Sequence, residues 1–139
     1  GVGLPYALGA QVALPGKKVV LANGDGSLGF NGMEIDTMVR HDLPVKMMVG
    51  NNSIWGIDWQ IQKGLYGRPV WTDLLPTRYD VVAQGLGAYG EQVKKPEDLE
   101  NAMKRALDHH GPALLNIDIE QVFSPVAEAA ISRKIGSHG

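Results

Sequence analysis

The stretch Lys18-Val-Val-Leu-Ala-Asn-Gly-Asp-Gly-Ser-Leu-Gly29 joins an apolar run to a glycine-rich turn. A second apolar run, Val45-Lys-Met-Met-Val-Gly50, leads into the pair Asn51-Asn52. Both runs are nearly continuous rather than alternating, which is typical of strands buried on both faces of a parallel sheet. Residues 113–119 form a third strand-like run, and residues 88–93 form a weaker fourth. The sequence thus predicts a mostly parallel sheet built on these runs.

Helical patterns lie between the predicted strands. The clearest one covers residues 96–110, where Pro96 begins the helix and Gly111-Pro112 ends it. Further helices are predicted over residues 1–14, over residues 31–41 with Asn31 as the cap, and over residues 79–86. Strands that alternate with helices indicate an α/β fold. We expect a single domain with a doubly wound, mostly parallel sheet and helices on both of its faces.

Composition excludes several classes of function. The chain has 139 residues with a formal charge of −2 and no basic tract, so we expect no nucleic-acid partner. It has no cysteine, which excludes disulfide scaffolds and thiolate metal sites. No apolar run approaches the roughly 18 residues that a membrane span needs, so we expect no membrane partner either.

The turn Gly24-Asp-Gly-Ser-Leu-Gly29 matches the G-x-G-x-x-G pattern of dinucleotide-binding turns. Such a fold places an acidic residue at the end of the next strand to hold a ribose hydroxyl, and this strand ends in Gly50-Asn51-Asn52 instead. Asp25 would also bring a carboxylate against the pyrophosphate, and the two anions repel each other unless a cation lies between them. A P-loop is excluded because no Gly-Lys-Ser/Thr follows a glycine loop. A dinucleotide-dependent oxidoreductase stays open as a weaker alternative.

Asp25 and Asn52 follow the carboxyl ends of two predicted strands. If those strands are neighbours in the sheet, both side chains reach the crevice where open α/β sheets bind ligands. A carboxylate, an amide oxygen and a backbone carbonyl, together with phosphate oxygens, form a ligand set that suits Mg²⁺. The pair therefore predicts a Mg²⁺-diphosphate site.

Gly24-Asp25-Gly26, followed after 24 residues by Asn51-Asn52, resembles the thiamine-diphosphate signature of the decarboxylase and acetolactate-synthase superfamily. The flanking segments 1–10 and 30–45 are similar to the same family, and the resemblance covers about residues 1–120. It implies a thiamine-diphosphate-binding domain over residues 1–123 and a C-terminal extension over residues 124–139. It also implies that the chain is a fragment truncated at its N-terminus, since the family's apolar residue that bends the cofactor would stand immediately before Gly1.

The resemblance implies particular site residues. Asp25 and Asn52 would hold Mg²⁺ through their side chains, and Ile54 would hold it through its backbone carbonyl. The diphosphate turn would be shaped by Gly24. Backbone N–H groups for the diphosphate would come from Gly26, Ser27, Ile54, Trp55 and Gly56. No catalytic residue is predicted in this chain, because the glutamate that activates the cofactor stands on a separate pyrimidine-binding domain in this family.

The implied activity is to make or break a C–C bond next to a carbonyl, by decarboxylation or carboligation of 2-keto acids. Relatives with 2-hydroxyacyl-CoA lyase, oxalyl-CoA decarboxylase or benzaldehyde lyase activity remain alternatives, as does a non-catalytic binding or dimerisation module. The implied cofactors are thiamine diphosphate and Mg²⁺. The implied partners are a pyrimidine-binding domain of the same or a partner subunit and a small 2-keto acid, acyloin or acyl-CoA substrate. We expect a cytoplasmic homodimer or homotetramer, and no activity from this chain alone.

Other residues near the predicted site admit two interpretations. Trp55 and Trp59 could line a substrate pocket or simply pack, and residues 64–69 could form a mobile loop. His109 and His110 are expected to complement the dipole of the preceding helix rather than to act as bases.

Overall fold

Four parallel strands form the centre of the fold in a computed structural model of the protein, which describes residues 1–136. The strands are β1 (Val20–Gly24), β2 (Lys46–Asn51), β3 (Tyr89–Val93) and β4 (Ala113–Asp118). They lie in the order β1-β2-β4-β3, and every neighbouring pair is parallel. All four predicted strands are present, each within two residues of its predicted bounds. The α/β fold class is confirmed.

Helices precede, connect and follow the strands. They are α1 (Gly3–Ala13), α2 (Asp25–Asn31), α3 (Glu34–Arg40), α4 (Gly56–Tyr66), α5 (Tyr79–Gly85), α6 (Pro96–Asp108) and α7 (Pro125–Gly136). None of the helices within residues 1–136 is long and apolar enough to cross a lipid bilayer.

The core has two parts, one on each face of the sheet. On one face, the β2 side chains Met47 and Val49 pack with helices α1, α2, α3 and α5. On the other face, Leu115 of β4 packs with Ala102 and Ala106 of α6. Successive strand residues point to opposite faces, so the unbroken apolar runs of β2 and β4 supply both parts at once. Helices on both faces are thus confirmed, although the two layers are unequal.

Strand β1 corrects one prediction. Its residues alternate between exposed and half-buried, and Val20 is 51% exposed. β1 lies at an edge of the sheet, and α6 covers β3 and β4 on the far face without reaching it. The apolar run correctly indicated a strand, but it could not indicate how much of that strand the rest of the chain covers.

The predicted helix over residues 31–41 is also corrected, because the chain forms two short helices there. The glycine-rich turn is itself helical, and Asn31 ends α2 rather than capping the next helix. Its side-chain amide donates a hydrogen bond to the Gly1 carbonyl, tying α2 to the start of the chain. α3 then buries Ile35 and Met38, whereas Met33 is exposed.

The predicted loop over residues 64–69 is in part helical, because α4 includes its first three residues. α4 begins at Gly56 and ends at Tyr66. Gly67 caps it with a left-handed φ of 76° and a bond from its N–H to the Lys63 carbonyl. α7 packs against α4, where Ile131 contacts Gly64. Gln60 fixes the start of α7 through reciprocal hydrogen bonds with the Ser124 backbone. The described part of the C-terminal extension is therefore a docked helix.

Candidate metal and diphosphate site

Strands β1 and β2 bring the predicted site residues to one edge of the sheet. Gly24 and Gly50 are paired at the ends of the two strands. The chain turns directly from β1 into α2 at Asp25, and it leaves β2 at Asn52. The two connections therefore start side by side, as the spacing predicted.

Asp25 is the buried centre of this edge. Its side chain is 2% exposed, and its carboxylate accepts hydrogen bonds from the Gly26 N–H at 3.0 Å and from the Ser53 N–H at 2.8 Å. Burial raises the pKa of Asp25, and N–H groups of Gly26, Ser53 and Asn52 oppose that rise. No cationic side chain among the described residues forms an ion pair with it. The carboxylate thus joins the two connections while its charge lacks a counterion.

The turn after Asn52 presents a backbone carbonyl. Ser53 has a left-handed φ of 58°, and the next residues run antiparallel to residues 72–74. In that pairing the Trp55 N–H donates to Thr72 and the Ser53 carbonyl accepts from Leu74, both at 2.8 Å. The Ile54 carbonyl between them accepts no hydrogen bond from the described residues.

These donors fit a hard divalent cation. The Asp25 carboxylate, the Asn52 amide oxygen and the Ile54 carbonyl are all oxygen ligands of the kind that Mg²⁺ takes. Within the part of the chain that the structure describes, no group of three His, Cys, Asp or Glu side chains could hold a metal instead. Such a site needs further oxygens from outside the protein, and phosphate oxygens would supply them.

An aromatic wall stands beside Asp25. The Trp55 indole lies against Gly26, where a Cβ atom would come within 2.9 Å of the ring. Phe30 meets the same indole edge-on, with ring centroids 4.9 Å apart. Together with Tyr79 and Leu74 these side chains line a cleft of about 290 Å³ that includes Asp25. Trp55 therefore both packs and lines the cleft.

The remaining predicted residues lie around this centre. Gly24 precedes α2 in an extended conformation, and Ser27 is half-buried within the first turn of that helix. The Gly26 N–H is used by Asp25 in this structure. Gly56 begins α4 close to the Asn52 side chain, and Trp59 turns away to donate to Asp73 at 3.0 Å.

Sequence reasoning missed a buried polar network beneath the site. The Asn51 amide donates to Asn116 at 3.0 Å and to the Thr77 carbonyl at 2.9 Å. Asn116 also lies 3.4 Å from the carboxylate of Asp80, whose pKa is lowered by its hydrogen bonds with Arg78. The network fastens the segment before α5 to the end of the sheet. No sequence signal could have found it, since 65 residues separate Asn51 from Asn116.

Tyr79 was missed as well. It lines the cleft with Asp25, and its pKa is raised first by burial and then by the charge of Asp25. In the sequence it looked only like the start of a helix.

Comparisons with known proteins show which family the chain is similar to. A family model described as thiamine pyrophosphate enzyme, C-terminal TPP binding domain, matches residues 1–117. A probable acetolactate synthase of Mycobacterium bovis is 47% identical over 118 residues, which is 84% of this chain and 22% of that protein. The 2-hydroxyacyl-CoA lyase 2 of Caenorhabditis elegans is 41% identical over 108 residues, which is 78% of this chain and 17% of that protein.

A solved structure is similar in fold. The thiamine diphosphate-dependent 4-hydroxybenzoylformate decarboxylase of Rhodococcus jostii RHA1 superposes with a TM-score of 0.78 at 31% identity. The match covers 88% of this chain and 23% of that one. The chain thus spans about a fifth of the length of the relatives that it matches.

Proposed function

The chain belongs to the family of thiamine pyrophosphate enzyme C-terminal TPP-binding domains, and we propose that it holds the diphosphate of thiamine diphosphate through Mg²⁺ within an acetolactate synthase-like enzyme. The observation that carries the proposal is the buried Asp25 carboxylate, which lacks a counterion at the edge where β1 and β2 end. A divalent cation there would neutralise the carboxylate and attract a diphosphate to the same place.

Three residues would hold the metal. Asp25 supplies the negative charge, Asn52 supplies a neutral amide oxygen, and Ile54 supplies a carbonyl that no described group uses. The bonds from Gly26 and Ser53 keep the Asp25 carboxylate in one orientation, so the site is organised before a ligand arrives. Backbone N–H groups near Ser27 and Gly56 are the proposed contacts of the diphosphate.

When bound, thiamine diphosphate supplies the nucleophilic carbon and the electron sink for making or breaking a C–C bond next to a carbonyl. The chain's own contribution is binding and positioning. Trp55, Phe30 and Tyr79 form an aromatic wall along the cleft beside Asp25, against which the cofactor would be positioned. We propose decarboxylation or carboligation of a 2-keto acid as the reaction.

A lyase acting on 2-hydroxyacyl-CoA is the second candidate. It is supported by the identity to the Caenorhabditis elegans lyase. Comparing the turnover of a 2-keto acid with the cleavage of a 2-hydroxyacyl-CoA in the complete enzyme separates the two activities.

We further propose that catalysis requires a pyrimidine-binding domain from the same or a partner subunit. No catalytic acid or base is proposed among the residues of this chain. A cytoplasmic homodimer or homotetramer is the proposed state of the enzyme. Sedimentation of the enzyme with and without cofactor measures that state directly.

Calorimetric titration tests the cofactor site. Thiamine diphosphate is titrated into the full chain with Mg²⁺ and with a chelator, and the experiment is repeated with Asp25→Asn. We expect binding that needs the metal and that weakens by about 100-fold or more in the variant, since the only charged ligand is lost. Asp58→Asn is the matched control, because this exposed carboxylate stands in the first turn of α4 outside the cleft.

The results separate three functions. Binding that is independent of the metal, or equal in both variants, contradicts the proposed site. Binding of NADH without binding of thiamine diphosphate would favour a dinucleotide-dependent oxidoreductase. Tight cofactor binding in an assembled enzyme that turns over no carbonyl substrate would favour a binding module.

A further inference from the structure

A second cavity lies at the opposite edge of the sheet from Asp25. Parallel strands begin at a common edge, where Val20, Lys46 and Ala113 are in register. The connections that enter β1, β2 and β4 surround a cavity of about 540 Å³ there. Six-residue strands separate the two edges by about 17 Å, so the cavity is distinct from the proposed cofactor site.

Lys46 brings a buried positive charge to this cavity. It is 2% exposed, and its ammonium donates to the carbonyls of His109 and Gly111, both at 2.6 Å. An ammonium group has three donors, so one remains. No carboxylate among the described residues lies within 4.0 Å of it. Two of the three N–H donors of Lys46 therefore anchor the end of α6, and its charge has no counterion.

Two further lysines, Lys17 and Lys18, line the same cavity. The histidines His109 and His110 line it as well. The pKa of Lys46 is lowered by burial and then by Lys18. The pKa of His109 is lowered by burial, then by Lys46 and His110. These groups repel one another, and an anion among them would relieve the repulsion.

The cavity is net positive even though acidic side chains also line it. Asp42 and Asp108 also line it, against three lysines. Neither carboxylate forms an ion pair with a lysine there in the described structure. The cavity can therefore accept an anion, although two acidic groups limit how many charges it takes.

Gln11 also has a polar atom that lacks a hydrogen-bond partner. It is 3% exposed, and its amide N–H₂ donates to the carbonyls of Lys17 at 3.0 Å and Leu14 at 3.4 Å. Those two carbonyls fix the orientation of the amide, because the opposite orientation would set oxygen against oxygen. Its Oε1 atom is buried without a hydrogen-bond partner. Gln11 is one of the residues that line the cavity, so this unpartnered acceptor belongs to a side chain of the cavity wall.

We propose that this cavity is a binding site for a phosphate group, carried as hydrogenphosphate or as a small phosphate monoester. A protonated phosphate offers anionic oxygens to Lys46 and Lys18 and an O–H donor to Gln11 in one group. An ionised carboxylate or sulfate offers acceptors only. The cavity falls within the size range of small-molecule sites, with room for an organic group beyond the phosphate.

Ligand titration of the full chain, followed by NMR of the histidine imidazoles, tests the site. Inorganic phosphate, glycerol 3-phosphate and sulfate are compared at equal ionic strength in a phosphate-free buffer. We expect saturable shifts of the His109 resonances with phosphate, and binding about tenfold weaker with sulfate because the O–H bond to Gln11 is lost. Tighter binding of glycerol 3-phosphate than of inorganic phosphate would identify a monoester as the ligand.

Two variants complete the test. Lys46→Met should weaken phosphate binding by about 10- to 100-fold. Because that variant also loses the two hydrogen bonds that anchor the end of α6, Lys18→Gln at the rim is measured too, with Lys104→Gln as the matched control on the exposed face of α6. We expect Lys18→Gln to weaken binding and Lys104→Gln to leave it unchanged. Shifts that do not saturate, equal binding of sulfate and phosphate, or equal effects of the two surface variants would overturn the proposal.

Discussion

Asp25 carries a negative charge in a place that the metal-free protein does not neutralise. Its pKa is raised by burial, so the folded state binds the carboxyl proton more tightly than the unfolded chain does. The stability that this group contributes is therefore complete below the unfolded pKa of about 3.9 and is lost as pH rises through the folded value. At neutral pH without a cation, the charged carboxylate lowers the free energy of unfolding.

Asp25→Asn should accordingly be more stable relative to the parent chain as pH increases. We expect the difference in the free energy of unfolding to move in favour of the variant between pH 3 and pH 7 in metal-free buffer, while cofactor binding is lost. Urea unfolding at several pH values measures this difference. If the difference in the free energy of unfolding did not change with pH, burial would not raise the pKa of the Asp25 carboxyl.

Asn51 and Asn52 are neighbours with different roles. Successive residues at a strand end point in different directions, and Asn51 enters the buried network with Asn116 while Asn52 stands at the metal edge. Asn51→Ala leaves the buried Oδ1 atom of Asn116 without its donor and removes the shortest of the hydrogen bonds to the Thr77 carbonyl. We expect it to reduce the free energy of unfolding by about 2 to 3 kcal/mol.

Asn52→Ala is the matched variant. It should leave the free energy of unfolding within about 0.5 kcal/mol of the parent, since no described side chain hydrogen-bonds to the side-chain amide of Asn52. It should also weaken Mg²⁺-dependent cofactor binding. Chemical denaturation and calorimetry of both variants provide the comparison. If the two variants lost stability equally, the division of roles between these residues would be wrong.

The sequence alone could predict that Asp25 and Asn52 follow two strand ends, because strand ends are local features marked by the change from apolar to polar residues. The role of Asn51 could not, since its partners come from distant parts of the chain. The same is true of Gln11 and Lys46, whose burial depends on how three connections meet at the far edge of the sheet.

At the scale of the element, α5 lies closer to β3 than any side chain allows. A Cβ atom on Gly90 would come within 2.0 Å of the Asp80 backbone carbonyl, so helix and strand meet backbone to backbone. Gly90→Ala must separate them, and we expect a loss of about 3 kcal/mol in the free energy of unfolding. Thermal and urea unfolding measure this loss.

Gly85→Ala is the control within the same unit. A Cβ atom there meets nothing within 4 Å, and the residue ends α5. Alanine favours a helix more than glycine does, so this change should be neutral or stabilising by up to about 1 kcal/mol. A stability of Gly90→Ala equal to that of Gly85→Ala would contradict the close approach of α5 and β3.

Elements with an ordinary apolar pattern were predictable, and the two helices beside the site were not. α2 begins inside the glycine-rich turn, where propensity favours a loop. α4 carries apolar residues at helical spacing (Ile57, Ile61 and Leu65), but the residue that it buries is Gln60 and Ile57 is exposed. In both cases tertiary contacts decide the structure: α2 continues directly from β1, and α4 is held by α7 and by the pairing of Trp55 with Thr72.

At the scale of the whole molecule, the parallel sheet separates two polar edges. The carboxyl edge gathers an unneutralised carboxylate, and the amino edge gathers an unneutralised ammonium. The resemblance drawn from the Gly-Asp-Gly turn and the Asn pair is confirmed by the family match over residues 1–117. That resemblance concerned only the carboxyl edge, because the motif contains only the residues that follow the strands.

Metal and cofactor should stabilise the whole fold together rather than separately. Mg²⁺ needs phosphate oxygens to complete its coordination, and the diphosphate needs the cation because Asp25 repels it.

At 100 times the dissociation constant, a ligand that binds only the folded chain adds about 2.7 kcal/mol to the free energy of unfolding, which corresponds to a rise in Tm of about 9 °C for a chain of this size. We expect that rise only when Mg²⁺ and thiamine diphosphate are both present, with each alone giving a small fraction of it. Thermal unfolding in a matrix of metal and cofactor concentrations measures the coupling, and Asp25→Asn should abolish it. Additive shifts from metal and cofactor would mean that they bind at separate places, and the metal would then have no role in linking Asp25 to the diphosphate.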